Sequence, residues 1–233
     1  MEVAKPILIR SKLVVPAPVA LLHRPRVYAI LKQGLGVKLT IISAPAGYGK
    51  TSALIDFARR SPVPVCWYTV DERDRDLGVF IRYLVGAIAE RFPGFGERTL
   101  TTLAGMSSAL FRDPMPVAGA LANEIADLEA ALVLVVDNFE EVDGAYGLRG
   151  FLDRLLEVLP SNCHLMIGSR VLPEVPVTRL VAQRQLVGLR GRTSGSPPRR
   201  SATSFGCRGS RSRRRRRRPS PRTPRDGSWG CCS

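Results

Sequence analysis

The segment that most constrains the fold is APAGYGKTS, residues 44–52, which directly follows the apolar run KLTIIS. It fits the P-loop pattern: Gly49, Lys50 and Thr51 form the final triplet, and Ala44 stands where the simplest form has its first glycine. Such a loop wraps backbone N–H groups around phosphates, and the helix after it directs its positive N-terminal end toward them. Because an apolar run precedes the segment and a helical pattern follows it, the sequence predicts a strand–loop–helix unit that binds phosphates.

Within this loop the residue types match distinct tasks. Lys50 would reach the β- and γ-phosphates and Thr51 would ligate Mg²⁺, while Gly47 and Gly49 allow backbone angles or close approaches that a Cβ would block. The plainer alternative is a Gly-rich turn with an exposed lysine, and the flanking strand and helix favour the phosphate site. The predicted nucleotide contacts in the loop are Ala44, Pro45, Ala46, Gly47, Tyr48, Gly49, Lys50, Thr51 and Ser52.

A second apolar run supplies the carboxylate that a P-loop needs for its metal ion. The run LVLVV is followed by Asp137, which we predict to hold Mg²⁺ together with Thr51; a helix cap at the strand end is the alternative. Many hydrolysing P-loop proteins have a second acid next, but here the residue is Asn138, and an amide cannot act as a base. Glu140 or Glu141 could substitute, although each also fits the solvated start of a helix.

A third run, HLMIGSR, ends in Ser169 and Arg170. At the end of a neighbouring strand, Arg170 could stabilise transferring charge or report which nucleotide is bound. An arginine at a strand end is also common on protein surfaces. The candidate catalytic residues are therefore Asp137, Arg170 and Glu140.

Short apolar runs alternate with longer segments of helical period along the body of the chain. Strands that are apolar throughout and separated by helices predict an α/β fold of the P-loop NTPase class, with a mostly parallel sheet sandwiched by helices. The predicted strands are 38–44, 63–71, 131–138 and 163–170, and the predicted helices are 50–60, 77–92, 117–130 and 148–159.

Nearly all of the formal net charge of +15 lies at one end of the chain. Residues 190–233 hold 14 arginines and one acidic residue, which leaves the rest nearly neutral. This Arg-, Ser-, Pro- and Gly-rich segment has few apolar residues to offset an ordering cost of about 1–2 kcal/mol per residue. We therefore predict a lead-in segment with an RPR motif at 1–37, a nucleotide-binding domain at 38–189 and a disordered tail at 190–233.

The cysteines and the N-terminal residues give no sign of secretion. Cys66 and Cys163 lie in strand-like runs, where a reduced thiol packs as a small hydrophobe. The N-terminus lacks an unbroken apolar stretch, because Lys5, Pro6 and Arg10 interrupt it, and no run is long enough to span a bilayer. We expect a cytoplasmic protein without membrane contact.

Taken together, these features resemble the ATP-binding module of the large LuxR-type transcriptional regulators of the MalT kind. The resemblance covers residues 11–189 and includes the segments HRPR, GLGVKLTIISAPAGYGKT, VCWYTVDERDRD, LVLVVDNFEEV and MIGSRVLPEVP. It implies a signal-transducing ATPase whose nucleotide state controls assembly and DNA binding, with an adenine nucleotide and Mg²⁺ as cofactors. It also makes Arg24 and Arg26 of HRPR candidate nucleotide contacts; basic residues flanking a proline turn are the alternative.

The resemblance stops near Leu189. Where family members read something like DLRFTPEE, residues 193–200 read TSGSPPRR. Plausible GC-rich codons for these residues, regrouped from the last base of the Arg192 codon, spell the family's sequence. We therefore expect the tail to be a frameshift product and the family's sensor and helix-turn-helix regions to be absent.

The leading hypothesis is an ATP/Mg²⁺-binding switch domain of a regulator, capable of self-association, with weak or no hydrolysis. The alternative is a self-contained, nucleotide-linked nucleic-acid-binding protein that uses the arginine tail. Under the leading hypothesis the tail would still bind polyanions, without sequence preference and with an affinity that falls steeply as salt rises. A sequence preference that survives raised salt would favour the alternative. An active ATPase or kinase is a third possibility, for which we identify no base or acceptor site.

Overall fold

The computed structural model describes residues 8–17 and 23–191. The predicted disordered tail, apart from its first two residues, lies outside these ranges.

Five parallel strands form one sheet in the order β2-β3-β4-β1-β5. Every strand-to-strand contact in the described residues is parallel, and helices pack on both faces, so the predicted fold class is confirmed. The strands are β1 Leu39–Ser43, β2 Val65–Thr69, β3 Leu132–Asp137, β4 Cys163–Ser169 and β5 Leu186–Arg190.

Strand β5 was not among the predicted strands. It is only partly buried and ends in an arginine, so it lacks the uniformly apolar pattern of the four inner strands. Its register places Arg190 beside Ser43, which carries the sheet one residue past the predicted domain boundary at 189.

The helices surround the sheet and agree with the predicted ones to within a few residues. Helix α3 ends at Ala89, three residues earlier than expected, and the fifth helix runs two to four residues ahead of its predicted bounds. Three helices were not predicted; two of these follow segments rich in Pro, Gly or Thr. The helices are α1 Pro25–Gln33, α2 Lys50–Arg60, α3 Leu77–Ala89, α4 Glu97–Met106, α5 Met115–Ala126, α6 Leu148–Val158 and α7 Thr178–Ala182.

Apolar side chains fill both faces of the sheet. The larger core includes Phe80 of α3 and Phe151 of α6, and the smaller one packs Leu31 and Phe57 of α1 and α2 against Trp67 of β2. This two-sided burial is the reason that the inner strands are apolar throughout. It fixes the ends of β1, β3 and β4 relative to one another.

Both strand cysteines are free and buried, as the sequence indicated. Burial raises the pKa of Cys66 to about 12, so its thiol remains protonated at neutral pH. These thiols therefore serve packing rather than chemistry.

The lead-in residues 8–17 are attached to the domain by a buried lysine. Lys12 Nζ lies 2.8 Å from Asp74 Oδ1 and 2.7 Å from Asp71 Oδ2, and it sits over the ring of Tyr83. Asp74 is almost fully buried, so Lys12 supplies its counter-charge. This part of the predicted lead-in is thus packed against the turn that follows β2.

Candidate nucleotide-binding site

The P-loop connects the carboxyl end of β1 to α2, as predicted. Gly47 and Gly49 have φ angles of 80° and 75°, in the left-handed region where a Cβ is unfavourable. Ala44 donates its backbone N–H to Ser169 of β4 at 3.2 Å, which fixes the start of the loop to the neighbouring strand. Helix α2 then begins at Lys50, with its N-terminus at the loop.

Lys50 lies across the loop. Its Nζ donates to the carbonyl oxygens of Ala44 at 2.6 Å and Pro45 at 3.3 Å. The ammonium group is therefore held at the loop by carbonyl groups that a phosphate could replace as partners.

Thr51 and Asp137 meet although they are 86 residues apart in the chain. Thr51 Oγ1 donates a hydrogen bond of 2.7 Å to Asp137 Oδ2. Asp137 is 1% exposed, and its other carboxylate oxygen, Oδ1, has no hydrogen-bond partner among the described residues. Burial raises the pKa of Asp137, while hydrogen bonds from Thr51 and the Asn138 backbone oppose that rise.

This pair fits a magnesium ion. Mg²⁺ prefers oxygen ligands and is commonly bound by one or two protein groups together with phosphate oxygens and water. A hydroxyl and a carboxylate are present, and the unpartnered, buried Oδ1 lacks the compensation that a cation would supply.

Sequence reasoning missed Gly168, the residue of β4 beside Asp137. A Cβ built on Gly168 would lie 2.6 Å from Asp137 Oδ1 and 2.9 Å from Leu54 Cδ1. Glycine is therefore the residue that leaves room for the buried carboxylate. A glycine near the end of an apolar strand often marks a place where another group approaches closely, and this pattern could have indicated Gly168 from the sequence.

Asn138 adopts a left-handed conformation, with φ 61° and ψ 35°. Asparagine is among the non-glycine residues that tolerate this region best, which gives a backbone reason for its presence. The residue is half-buried and turns the chain from β3 into the 3-10 helix Phe139–Glu141. Its side chain is an amide and offers no base.

The structure brings together Arg170 and Glu140, which the sequence suggested separately. Arg170 Nε lies 2.9 Å from Glu140 Oε1, and the Arg170 backbone N–H donates to Glu140 Oε2 at 2.9 Å. Glu140 is therefore engaged by both the guanidinium and the backbone of Arg170. Glu141, the other suggested base, uses its backbone carbonyl to accept a hydrogen bond from Arg75.

Ser169 precedes Arg170 and is fully buried. Its Oγ has no hydrogen-bond partner among the described residues, and its carbonyl holds Ala44. The side chain lies on the sheet face opposite α2, because it shares the orientation of Leu165 and Ile167.

The two arginines of the HRPR segment occupy different surroundings. Arg24 Nη1 donates to the carbonyl of Tyr48 at 3.1 Å, so this guanidinium contacts the P-loop. Arg26 is exposed on α1 and does not line the cavity beside the loop. Its contact with a nucleotide remains a prediction.

A cavity of about 250 Å³ opens between α1 and the P-loop–α2 junction. Its lining residues come from the end of the lead-in, the loop and the first two turns of α2: Arg24, Val27, Tyr28, Gly47, Gly49, Ser52, Ala53 and Asp56.

His23, Asp56 and Arg60 form a polar cluster beside this cavity that the sequence did not reveal. Asp56 Oδ2 lies 2.6 Å from His23 Nδ1, and Arg60 Nε donates to Asp56 Oδ1 at 2.9 Å. Burial acts to raise the pKa of Asp56, but the bonds from His23 and Arg60 outweigh it and lower that pKa. The cluster attaches the segment before α1 to α2.

In residues 8–17 and 23–191, every helix is too short or too polar to cross a membrane.

Comparison with known proteins identifies related regulators. No protein-family model matches the chain. The HTH-type transcriptional regulators MalT of two Klebsiella pneumoniae strains are each 28% identical to it over 204 residues. These matches cover 86% of this chain and 22% of each relative, so the chain spans about a fifth of the length of the curated relatives it matches.

Two solved structures have a distantly similar fold. A Walker-type ATPase of Pyrococcus abyssi is 15% identical, with a TM-score of 0.45 and coverage of 74% of this chain and 54% of that chain. A chain of the Drosophila ORC structure with AT-rich DNA and Cdc6 is 16% identical, with a TM-score of 0.41 and coverage of 71% and 56%. Both likenesses are distant and concern the fold alone.

The sequence relationship agrees with the strand–loop–helix unit, the parallel sheet and the acidic end of β3. The chain is therefore similar in sequence to the MalT regulators, and its parallel sheet and glycine-rich loop have the architecture of a P-loop NTPase domain.

Proposed function

We propose that this domain binds ATP with Mg²⁺ and acts as the nucleotide-dependent switch of a transcriptional regulator of the MalT kind. The observation that carries the proposal is the 2.7 Å hydrogen bond between Thr51 and Asp137, directly beside a loop with two left-handed glycines. A chance Gly-rich turn would have no reason to place a hydroxyl against a buried carboxylate.

The binding residues have separate tasks in this proposal. Lys50 exchanges its carbonyl partners for the β- and γ-phosphates, and the backbone N–H groups of the loop surround the phosphate oxygens. Thr51 and Asp137 hold the Mg²⁺, which neutralises charge between the phosphates when it is bound.

The cavity beside the loop is the proposed place for the nucleoside. At about 250 Å³ it is somewhat smaller than the lower end, roughly 300 Å³, of typical ligand pockets, which suits part of a nucleotide whose phosphates lie outside it. Tyr28 supplies an aromatic surface and Arg24 a cation at the wall next to the loop. Adenine as the base rests on the relationship to the MalT-like regulators.

Hydrolysis is proposed to be slow. Asn138 stands where a proton acceptor would be expected, and Glu140 is paired with Arg170. Loss of general-base help typically costs about 10²–10⁴-fold in rate. The domain would therefore hold ATP for long periods, as a switch requires.

Calorimetry on the full 233-residue chain tests the proposal. We expect ATP to bind in the presence of Mg²⁺, to bind more weakly with a chelator, and to be preferred over GTP. Absence of ATP binding at millimolar concentrations, with the protein folded by circular dichroism, would overturn the site.

The arginine-rich segment supports a second function, direct binding of nucleic acid. Residues 190–233 carry 14 arginines, although they lie almost entirely outside the described part of the chain. Because β5 extends to Arg190, the matched truncation should retain residues 1–192. If truncation abolishes a sequence-selective DNA complex that survives raised salt, this alternative is favoured; sequence-blind binding that falls steeply with salt favours the switch.

The remaining expectations belong to the same proposal. Cytoplasmic location, self-association, and the frameshift origin of the tail are predictions; sequencing the locus for a long downstream frame with a helix-turn-helix tests the last of them.

A further inference from the structure

The two residues of the Arg170–Glu140 ion pair differ in their exposure to solvent. Both carboxylate oxygens of Glu140 contact Arg170: Oε2 accepts a hydrogen bond from the backbone N–H at 2.9 Å, and Oε1 lies 2.9 Å from Nε as an ion pair without hydrogen-bond geometry. The Glu140 side chain is 11% exposed, whereas that of Arg170 is 55% exposed. The carboxylate is thus fixed, while much of the guanidinium remains open to solvent and to another anion.

The sheet places this pair next to the phosphate loop. Strand β4 lies between β1, which leads into the loop, and β3, which ends in Asp137. The carbonyl of Ser169 accepts the backbone N–H of Ala44, so Arg170 follows the residue that holds the start of the loop. A guanidinium with five donors in a planar fork suits either a carboxylate or a phosphate.

We propose that Glu140 is a counter-ion from which Arg170 must separate to contact the γ-phosphate, so that this pair sets the discrimination between ATP and ADP. The inference rests on the proposed nucleotide site. ADP lacks the phosphate that would compete for Arg170, and it leaves the pair intact. When ATP binds, Arg170 replaces its contact with Glu140 by a contact with the γ-phosphate. The cost of breaking the ion pair reduces the affinity that the γ-phosphate adds.

The size of the effect follows from exposure. Because Arg170 is half-exposed, the pair has the modest strength of a surface ion pair, and its removal should change affinity by about twofold to fivefold. Glu140 is accordingly a positioning residue that acts through Arg170.

The test is a double-mutant cycle measured by calorimetry with Mg-ATP and Mg-ADP. Glu140→Gln should tighten ATP binding by about twofold to fivefold and leave ADP binding unchanged. Arg170→Ala should lower the ratio of ATP to ADP affinity, and adding Glu140→Gln to that variant should change nothing further. Glu174→Gln is the matched control, because it removes a charge from the segment after β4 that also holds Arg170, and among the described residues only the backbone of Glu174 is bonded, to Asp143.

Two results would overturn the inference while leaving the nucleotide site intact. In one, both nucleotides bind but Glu140→Gln leaves their ratio unchanged. In the other, Glu140→Gln raises the ratio equally with and without Arg170, which would show direct repulsion between Glu140 and phosphate. If the wild-type protein bound neither nucleotide, the proposed site would fall and the inference with it.

A measurement on the wild-type protein covers the case in which Glu140→Gln does not fold. The Nε–H resonance of Arg170 should be the same without nucleotide and with Mg-ADP, and should shift with Mg-ATP. A resonance that is unchanged by ATP at saturation would contradict the exchange.

Discussion

Thr51 Oγ1 donates a hydrogen bond to Asp137 Oδ2, joining the first turn of α2 to the last residue of β3. Both residues sit on rigid elements, so the two proposed magnesium ligands are positioned before any ion binds. Burial makes this arrangement unfavourable for an ionised carboxylate, and the unpartnered Oδ1 adds to that cost. A bound cation would offset this cost, so the site favours cation binding.

The first prediction concerns Asp137→Asn. An amide keeps the bond from Thr51 but removes the charge, so Mg²⁺-dependent tightening of ATP should fall by about tenfold or more. Without ligand the variant should be more stable than wild type at pH 7. Calorimetry with and without Mg²⁺, together with thermal melts, measures both effects.

The pH dependence has a defined sign. Burial raises the folded-state pKa of Asp137 above its ordinary 3.8, so the carboxylate destabilises the folded state above that raised pKa and has no such effect below 3.8. The stability gain of Asp137→Asn should therefore be largest at neutral pH and shrink as the pH falls to 4. A variant less stable than wild type at both pH values would contradict this account.

The second prediction concerns Gly168→Ala. Its Cβ would meet Asp137 Oδ1 at 2.6 Å, so the carboxylate or the strand must shift. We expect weaker Mg-ATP binding and a loss of about 1–3 kcal/mol in unfolding free energy, as in overpacked cores. Gly188→Ala is the control, because a Cβ on that strand glycine would meet nothing within 4 Å. Equal Mg-ATP affinity and equal unfolding free energy in the two variants would show that the Asp137 carboxylate does not need the space that Gly168 leaves.

The third prediction concerns Lys50→Ala. Removal of the cation should weaken ATP binding by about tenfold or more, equivalent to about 1.4 kcal/mol for each factor of ten. Lys32→Ala, at an exposed position of α1, should leave the affinity unchanged. Equal ATP affinity in wild type and Lys50→Ala would refute the loop assignment.

The fourth prediction concerns turnover and Asn138. Single-turnover hydrolysis of labelled ATP should be near background in wild type, because the position offers no base. Asn138→Asp should preserve the left-handed turn, since aspartate also tolerates it, and should raise the rate if the side chain faces the γ-phosphate. Brisk wild-type hydrolysis that Glu140→Gln abolishes would instead identify Glu140 as the base.

The fifth prediction concerns Lys12, which holds the lead-in segment. Lys12→Ala would leave buried Asp74 without its cation and should reduce the unfolding free energy by about 3 kcal/mol. Arg10→Ala removes an ion pair with Glu90 whose arginine is 81% exposed, and should cost no more than about 0.5 kcal/mol. Denaturant unfolding of the two variants measures the contrast.

The same cluster predicts loss of stability at both pH extremes. Burial alone would lower the pKa of Lys12, but hydrogen bonds to Asp71 and Asp74 raise it above 10.5. The stabilisation that charged Lys12 gives the folded state is therefore fully present below pH 10.5 and is lost at higher pH. Burial acts to raise the pKa of Asp71, but hydrogen bonds from Lys12 and the Arg73 backbone outweigh it and lower that pKa below 3.8. The stabilisation that the Asp71 carboxylate provides is therefore present above pH 3.8 and lost in strong acid. In Lys12→Ala both dependences should weaken.

The sequence by itself determined the parallel sheet, the glycine-rich loop after β1 and the carboxylate at the end of β3. These follow from local patterns: an apolar strand, glycines at fixed offsets before Lys50, and an acid at the end of another apolar strand. Such patterns can be recognised in the sequence alone, because each depends only on the position of a residue within its own strand, loop or helix.

Only the tertiary structure decided which distant residues meet. It placed Arg24, and not Arg26, against the loop, paired Glu140 with Arg170, and put Gly168 beside the carboxylate of Asp137. The packing of α1 beside the loop creates the first contact, and strand order and register create the other two. Each joins residues 24 or more positions apart, and no local period encodes it. The sequence could therefore name the residues that we propose to hold a nucleotide, whereas the tertiary packing decided which of them contact one another.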